Sequence, residues 1–223
     1  MSELAGRLSA VRAEVADAAS AAGRDVAGIT TIVVTKFQPV SLVRELAALG
    51  VADVGENRHQ EAQAKARELA DLGLTWHFVG QLQGKKARQV RAYARVIHSV
   101  DRPSLVDALR SDETAVDCFV QVNLTDDPGR GGVAPSGLEP LVEHVIGTQG
   151  LRLLGLMAVA PLGESARPAF ARVRELSERV RTLDPAATSL SMGMSHDYHD
   201  AILEGATHLR IGTAITGNRP TPG

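Results

Sequence analysis

Cysteine, long apolar runs and excess charge of either sign are all scarce in this chain, and each shortage excludes a class of protein. Cys118 is the one cysteine among 223 residues. A single cysteine allows no intramolecular disulfide, which favours a cytoplasmic protein over a secreted, disulfide-stabilised one. No apolar run approaches the ~20 residues needed to span a bilayer. We therefore expect a cytoplasmic protein without a membrane segment.

The charges nearly cancel. The 24 basic and 26 acidic residues give a formal net charge of -2 at pH 7. Such a chain has no overall attraction for nucleic acid or for an anionic membrane, so we expect neither as a partner. A composition that is 44% hydrophobic and 22% charged is typical of a globular domain with a substantial core.

What the chain does have is eight short apolar runs separated by helix-length segments. Alternating strands and helices favour a parallel sheet, and eight such units predict one (β/α)8 barrel, the TIM barrel, over residues 1–223. A helix over residues 2–22 precedes the barrel. An open doubly wound sheet is the alternative fold, but the pattern shows no switch point for it. The strand-like runs are 29–35, 52–55, 75–79, 95–98, 117–122, 153–159, 189–192 and 208–211, and the helical segments are 41–49, 57–72, 84–93, 103–109, 138–146, 165–183 and 198–204.

Polar residues and glycines follow these runs directly, and in a parallel barrel such positions meet at one mouth. Gly193 and Ser195 follow the seventh run, and we predict that Ser195 caps the next helix. Gly212 and Thr213 follow the eighth run and offer backbone N–H and hydroxyl donors. Loops after the seventh and eighth strands are the usual phosphate site of such barrels.

Lys36 adds carbonyl chemistry to this mouth. It directly follows the β-branched run 31–35, so we expect a partly desolvated amine that can attack an aldehyde. An aldehyde that also carries a phosphate and is held by a lysine indicates pyridoxal 5′-phosphate (PLP). Arg210 lies in the eighth run, where a guanidinium can only donate and would face an unprotonated ring nitrogen, which weakens the ring as an electron sink. The plain alternatives are a surface lysine for Lys36 and an ion pair at the rim for Arg210.

Six segments of the chain together carry a family resemblance: 34–36, 54–57, 76–86, 155–158, 190–197 and 210–217. They resemble the family of pyridoxal phosphate homeostasis proteins, the YggS/PROSC family, from about the first strand to Gly217. The resemblance implies a single barrel of fold type III, similar to the amino-terminal domain of alanine racemase. It also implies that Lys36 holds PLP through a Schiff base.

The same resemblance implies roles for the other cofactor-binding residues, without a catalytic residue or a metal ligand. Ser195, Gly212 and Thr213 would hold the phosphate, and Ser191 is a further phosphate donor. Arg210 would face the ring nitrogen, and Asn57 would lie near the ring. Met157 and Met192 would form apolar walls.

Two functions compete for this site. Racemisation needs a proton donor and acceptor on each face of the α-carbon, and Lys36 can serve one face. In alanine racemase-like enzymes the second base is a tyrosine from a β-rich domain of the partner subunit, and no such domain is evident in these 223 residues. Tyr93 and Tyr198 fall in predicted helices, and the seven histidines fit no catalytic pattern.

The sequence therefore favours a non-catalytic PLP-binding protein of cofactor homeostasis over a small PLP-dependent amino-acid racemase. A phosphosugar enzyme is a third hypothesis, but it leaves Lys36 without a partner acid. His196 and His199 have a spacing that could share a metal, although a capping and surface role suits them better. We expect a monomer whose partners are PLP and the apo-forms of PLP enzymes.

Overall fold

The computed structural model describes residues 2–127 and 129–218, which form one closed barrel of eight parallel strands. The strands follow one another around the barrel in chain order, and the first closes the ring by pairing with the last. The predicted barrel is confirmed, and each strand boundary lies within two residues of its prediction. The strands are β1 (Thr30–Val34), β2 (Asp53–Glu56), β3 (Thr75–Phe78), β4 (Val96–Val100), β5 (Val116–Gln121), β6 (Leu151–Met157), β7 (Ser189–Ser191) and β8 (His208–Ile211).

Helices cover the outside of the barrel and precede each strand. The first helix buries a stripe of apolar residues spaced three or four apart and contacts the last two helices. None of the helices in the described ranges is long and apolar enough to cross a bilayer. The helices are α1 (Glu3–Ala21), α2 (Val40–Ala48), α3 (His59–Glu68), α4 (Ala87–Arg91), α5 (Pro103–Leu109), α6 (Leu138–Ile146), α7 (Ala166–Leu183), α8 (Tyr198–Leu203) and α9 (Thr213–Thr216).

Two predicted helices are shorter than expected because a tighter turn replaces one end. The predicted helix 57–72 is α3 followed by a single 3-10 turn, Ala70–Leu72, and the chain then leaves through Gly73 at φ +61°. The predicted helix 84–93 begins with a 3-10 turn, Gly84–Lys86, before α4. Glycine adopts the left-handed conformation without strain, so Gly73 lets the chain turn into β3.

The core has two parts. The larger part packs the helices against the outer face of the barrel, and a smaller cluster joins Val96, Phe119 and Met157. Alternate residues of a strand point to opposite faces, which places this smaller cluster inside the barrel. The rings of His98 and His208 pack against Phe119 there, with centroids 4.6 and 5.0 Å away. The barrel interior is therefore partly polar, and its polar side chains need partners.

Candidate functional site

Lys36 lies exposed at the mouth of the barrel, two residues beyond the end of β1. The expected desolvation is wrong, because the lysine stands past Thr35, where the buried run that continues β1 ends. Phe37 follows at φ +65°, a left-handed conformation that is rare for an aromatic residue and that turns the chain immediately after the lysine. No side chain in the described ranges forms an ion pair or hydrogen bond with the Lys36 amine, so this amine is available to a ligand.

A buried ion pair fixes the backbone that carries Lys36. Lys65 of α3 donates from Nζ to Glu56 Oε1 at 2.7 Å and to the carbonyl oxygen of Thr35 at 2.8 Å. The Thr35 hydroxyl donates to the same carboxylate oxygen at 2.7 Å. Glu56 was expected just after the second strand and is instead its buried last residue. Glu56 and Lys65 therefore hold the peptide that precedes Lys36.

Sequence reasoning missed Lys65. It lies in a helix rich in alanine, glutamine and glutamate, where a lysine normally faces solvent. Its spacing carried the signal, because Ala62 and Leu69, three residues before and four after, are both fully buried. A lysine on the apolar stripe of a helix needs a buried partner, which here is Glu56.

The loops after β7 and β8 meet at Ser195. Its Oγ accepts hydrogen bonds from the backbone N–H groups of Gly212 and Ala214, each at 3.3 Å. The predicted helix cap is wrong: α8 begins at Tyr198 with Asp197 as the N-cap residue. The Ser195 hydroxyl instead joins the two loops that the sequence predicted to bind phosphate.

Close packing brings these loops to the end of β1. A Cβ atom placed on Gly212 would stand 3.6 Å from the Cβ of Val34, two residues before Lys36. Gly193 has φ +94°, and a Cβ there would stand 2.7 Å from the Cβ of Ala201, so only glycine fits this turn. Thr213 is the exposed first residue of α9. Lys36, Ser195, Gly212 and Thr213 thus occupy one edge of the barrel.

Arg210 is buried in β8 beneath these loops without an acidic partner. Its Nη1 donates to Ser191 Oγ at 2.6 Å and its Nη2 to the carbonyl oxygen of Ala158 at 2.9 Å. No carboxylate of the described residues forms an ion pair with it, so the expected alternative of a rim ion pair is wrong. Burial lowers the pKa of Arg210 to about 10, opposed by the charge of Asp197, so the guanidinium stays protonated at neutral pH. A buried cation without a counter-ion is costly unless a ligand supplies electron pairs.

The remaining predicted residues separate into different surroundings. Ser191 is fully buried, and its hydroxyl already contacts Arg210 and the Nδ1 atom of His98, which does not favour it as a phosphate donor. Asn57 lies just beyond β2, and its Oδ1 is buried without a hydrogen-bond partner among the described residues. Met157 packs inside the barrel, whereas Met192 packs in the larger outer core.

Two histidines that sequence reasoning set aside lie directly behind Arg210. His98 Nδ1 is 2.8 Å from Ser191 Oγ, and His98 Nε2 is 2.9 Å from His77 Nδ1. His77 Nε2 is in turn 2.9 Å from Asp53 Oδ1. Each histidine occupies an inward position of a barrel strand, and strand alternation was the one signal that could have found them. Which residues they meet depends on the closure of the barrel.

The buried histidines predict a loss of stability in mild acid. Burial lowers the pKa of His98 well below its ordinary value, and burial with nearby His77 and Arg210 lowers the pKa of His208 to about 4. The unfolded chain therefore binds protons that the folded chain does not as the pH falls below about 6.5. For each of the two histidines, the free energy of unfolding therefore falls by up to about 1.4 kcal/mol for every unit by which the pH is lowered. Urea unfolding of the PLP-free protein at pH 7.5 and pH 5.0 measures this slope.

The matched variants are His208→Gln and His98→Gln. Each should flatten the dependence of unfolding free energy on pH between 6.5 and 5, because it removes one group that protonates only on unfolding. Carboxylates elsewhere contribute the same dependence of unfolding free energy on pH to the wild type and to both variants, so their contribution cancels in the comparison. An unchanged slope in both variants would contradict the buried, neutral state of these rings.

The closed barrel with a lysine just after its first strand defines the class to which the chain belongs. The family model described as "Alanine racemase, N-terminal domain" matches residues 7–220. The crystal structure of alanine racemase from Corynebacterium glutamicum superposes with a TM-score of 0.71, covering 97% of this chain and 63% of that one. At 15% identity that likeness shows the fold alone.

More similar proteins narrow the class. A pyridoxal phosphate homeostasis protein from Pseudomonas aeruginosa is 43% identical over 226 residues, covering 98% of this chain and 97% of that protein. The structure of PipY from Synechococcus elongatus, solved with PLP bound, is 34% identical with a TM-score of 0.84, covering 96% of this chain and 100% of that one. The chain belongs to the family of pyridoxal phosphate homeostasis proteins, which confirms the resemblance read from its motifs.

Proposed function

We propose that this protein binds PLP at the mouth of its barrel and keeps the cofactor available to the cell without catalysing a reaction of its own. PLP would be held on Lys36 and released to apo-forms of PLP-dependent enzymes by a cytoplasmic monomer. The observation that carries the proposal is buried, protonated Arg210, which lies beneath the mouth and forms no ion pair with a carboxylate of the described residues. PLP-bound PipY and the names of the curated relatives support the cofactor.

The residues at the mouth suit the three parts of PLP. When bound, PLP supplies an aldehyde that condenses with an amine and a ring that can draw electrons from the attached carbon. The exposed Lys36 amine would take the aldehyde. Arg210 would donate toward the ring nitrogen, and the unpartnered Asn57 Oδ1 lies where a polar group of the ring could reach it.

The joined loops would bind the phosphate. The N–H groups of Gly212 and Ala214 make only long bonds of 3.3 Å to Ser195 Oγ. Charge-assisted bonds to phosphate oxygens are about 2.7–2.9 Å long and stronger, so these donors would gain by turning to a phosphate. The hydroxyls of Ser195 and Thr213 would add two more donors. We assign Ser191 to the support of Arg210.

Arg210 would also weaken the ring as an electron sink, which favours a carrier over a racemase. A guanidinium holds the ring nitrogen unprotonated, because it can donate a proton in a hydrogen bond and cannot accept one. A second base is also hard to find. Tyr198 donates its hydroxyl to Glu14 of α1. The hydroxyl oxygen of Tyr93 lies 3.5 Å from His59 Nδ1. Burial together with the charge of Glu56 raises the pKa of Tyr93 above its usual range.

The test is exchange of the α-proton. PLP-loaded protein is incubated with each L-amino acid in deuterium oxide, and loss of the Hα signal is followed by proton NMR. We expect no exchange faster than that of free PLP at the same concentration, since a ring nitrogen kept unprotonated beside Arg210 weakens the electron sink that loss of the α-proton needs. The Lys36→Ala protein mixed with free PLP is the matched control. Exchange that is faster and depends on Lys36, for even one amino acid, would favour the racemase.

The same loaded preparation tests the carrier role. Mixed with the apo-form of a PLP enzyme, it should restore that enzyme's activity as cofactor leaves Lys36. The rate is compared with the rate at which PLP leaves the protein into buffer. A preparation that holds PLP but restores no activity over many dissociation half-lives would contradict a supply function.

A further inference from the structure

A line of hydrogen bonds crosses the barrel interior from its amino-terminal end to Arg210. It begins at Asp53, the first residue of β2, whose side chain is 29% exposed. From there the contacts run through His77, His98 and Ser191, at 2.9, 2.9 and 2.8 Å, and Arg210 donates to the last member at 2.6 Å. Four strands contribute to this line before it reaches β8.

The chemistry of the end groups fixes the direction of every bond in the line. An ionised carboxylate can only accept, so a neutral His77 carries its proton on Nε2 and leaves Nδ1 as an acceptor. That nitrogen then accepts from His98 Nε2–H, and His98 Nδ1 accepts the hydroxyl proton of Ser191. The Ser191 oxygen consequently turns its lone pairs toward the guanidinium. Asp53 therefore determines, from the far end of the barrel, that the Ser191 hydroxyl donates to His98 and keeps its lone pairs for Arg210.

We propose that Asp53, His77 and His98 are positioning residues that orient Ser191 and thereby hold Arg210 in place for the ring nitrogen of PLP. The inference rests on the proposed function, because it supposes that PLP binds above Arg210. It goes beyond that function by assigning part of the cofactor site to a carboxylate at the opposite end of the barrel.

The surroundings of His98 support this arrangement. Its ring stacks on Phe119 at 4.6 Å, and the charged or titratable groups that face it are His77, His208 and Arg210. Burial and these neighbours all disfavour its protonation. A protonated His98 would donate from both nitrogens and could not accept from Ser191. The surroundings of His98 therefore favour the neutral ring that this line of hydrogen bonds requires.

Replacing the Asp53 carboxylate by a neutral amide should remove the constraint on the direction of these hydrogen bonds. An amide at position 53 can donate as well as accept, so both directions of the line become available. In the reversed line His98 donates to Ser191, whose own hydroxyl proton then has no acceptor within the line. Ser191 Oγ would then accept from both His98 and Arg210, and its hydrogen bond to Arg210 would be less well oriented. The cofactor would then bind more weakly and with altered electronics at the ring.

The experiment compares Asp53→Asn with His208→Gln in the full chain. His208 lies in the same interior and on the same strand as Arg210, but its Nδ1 pairs with the Thr207 hydroxyl, so it is the matched control. Nitrogen-15 NMR of the imidazoles in the PLP-free protein reports the tautomers. We expect the Nε2–H form for His77 and His98 in the wild type and in His208→Gln, and a mixture in Asp53→Asn.

The second readout is PLP itself. We expect PLP to bind about tenfold more weakly to Asp53→Asn than to the wild type, the effect of losing one hydrogen bond to a charged group. Its visible absorption should also shift, while His208→Gln matches the wild type. A wild type that takes up no PLP would overturn the proposed function. A wild type that binds PLP, with an Asp53→Asn variant identical in tautomers, affinity and spectrum, would overturn the positioning role.

Discussion

Replacing Lys36 by alanine should abolish covalent attachment of PLP while leaving the barrel folded. The side chain is exposed and lies beyond β1, so its removal takes nothing from the core. The backbone before it stays fixed by Glu56 and Lys65. The visible absorption of the loaded protein should therefore disappear, whereas thermal unfolding followed by circular dichroism should change little. Binding of PLP through its phosphate alone should persist at lower affinity.

The matched control is Lys85→Ala, which removes an exposed lysine from the 3-10 turn Gly84–Lys86. It should keep both the absorption and the affinity of the wild type. Retention of the full visible band by Lys36→Ala would mean that another amine binds the aldehyde. A collapsed fold in Lys36→Ala would mean that the lysine is structural.

The second large effect concerns the phosphate. Ser195→Ala and Thr213→Ala each remove one hydroxyl donor from the joined loops, and a hydrogen bond to a charged group contributes about 1.5–3 kcal/mol. Each variant should therefore bind PLP roughly 10- to 100-fold more weakly. Pyridoxal, which lacks the phosphate, should bind the wild type far more weakly than PLP. Equilibrium titration with both ligands measures these differences.

Ser165→Ala serves as the control for this series, because Ser165 precedes α7 and makes no side-chain cap. It should bind PLP like the wild type. Ser195→Ala should also narrow the advantage of PLP over pyridoxal, since the removed donor recognises only the phosphate. Equal affinities of the wild type for PLP and pyridoxal would show that these loops hold no phosphate.

The fold was predictable because local pattern and tertiary structure agree along this chain. Buried strands of a parallel barrel are often short β-branched runs, and Thr30–Val34 shows this in its sequence. The order of strands in the barrel is also the order of runs along the chain. Lys36 and the glycines after the last two strands could be placed at one mouth for the same reason.

What failed were inferences that depend on neighbours distant in sequence. Ser195 was expected to cap its own helix, but its hydroxyl accepts from the loop after the next strand. Lys65 was treated as an ordinary helix residue because Glu56 and the Thr35 carbonyl come to it only when β1, β2 and α3 pack together. The resemblance implies a phosphate donor at Ser191, which stays a prediction, but it gives no sign that this side chain contacts His98 and Arg210.

The most direct test of the account is to locate the bound cofactor among the four lysines of the chain, Lys36, Lys65, Lys85 and Lys86. Borohydride reduction of the PLP-loaded protein makes the link between aldehyde and amine permanent, and peptide mass spectrometry then assigns it. We expect one reduced adduct per chain, on the peptide that contains Lys36, and none on the buried Lys65 or on the two lysines of the 3-10 turn. An adduct on any other lysine as the main product, or no adduct in protein saturated with PLP, would contradict the account.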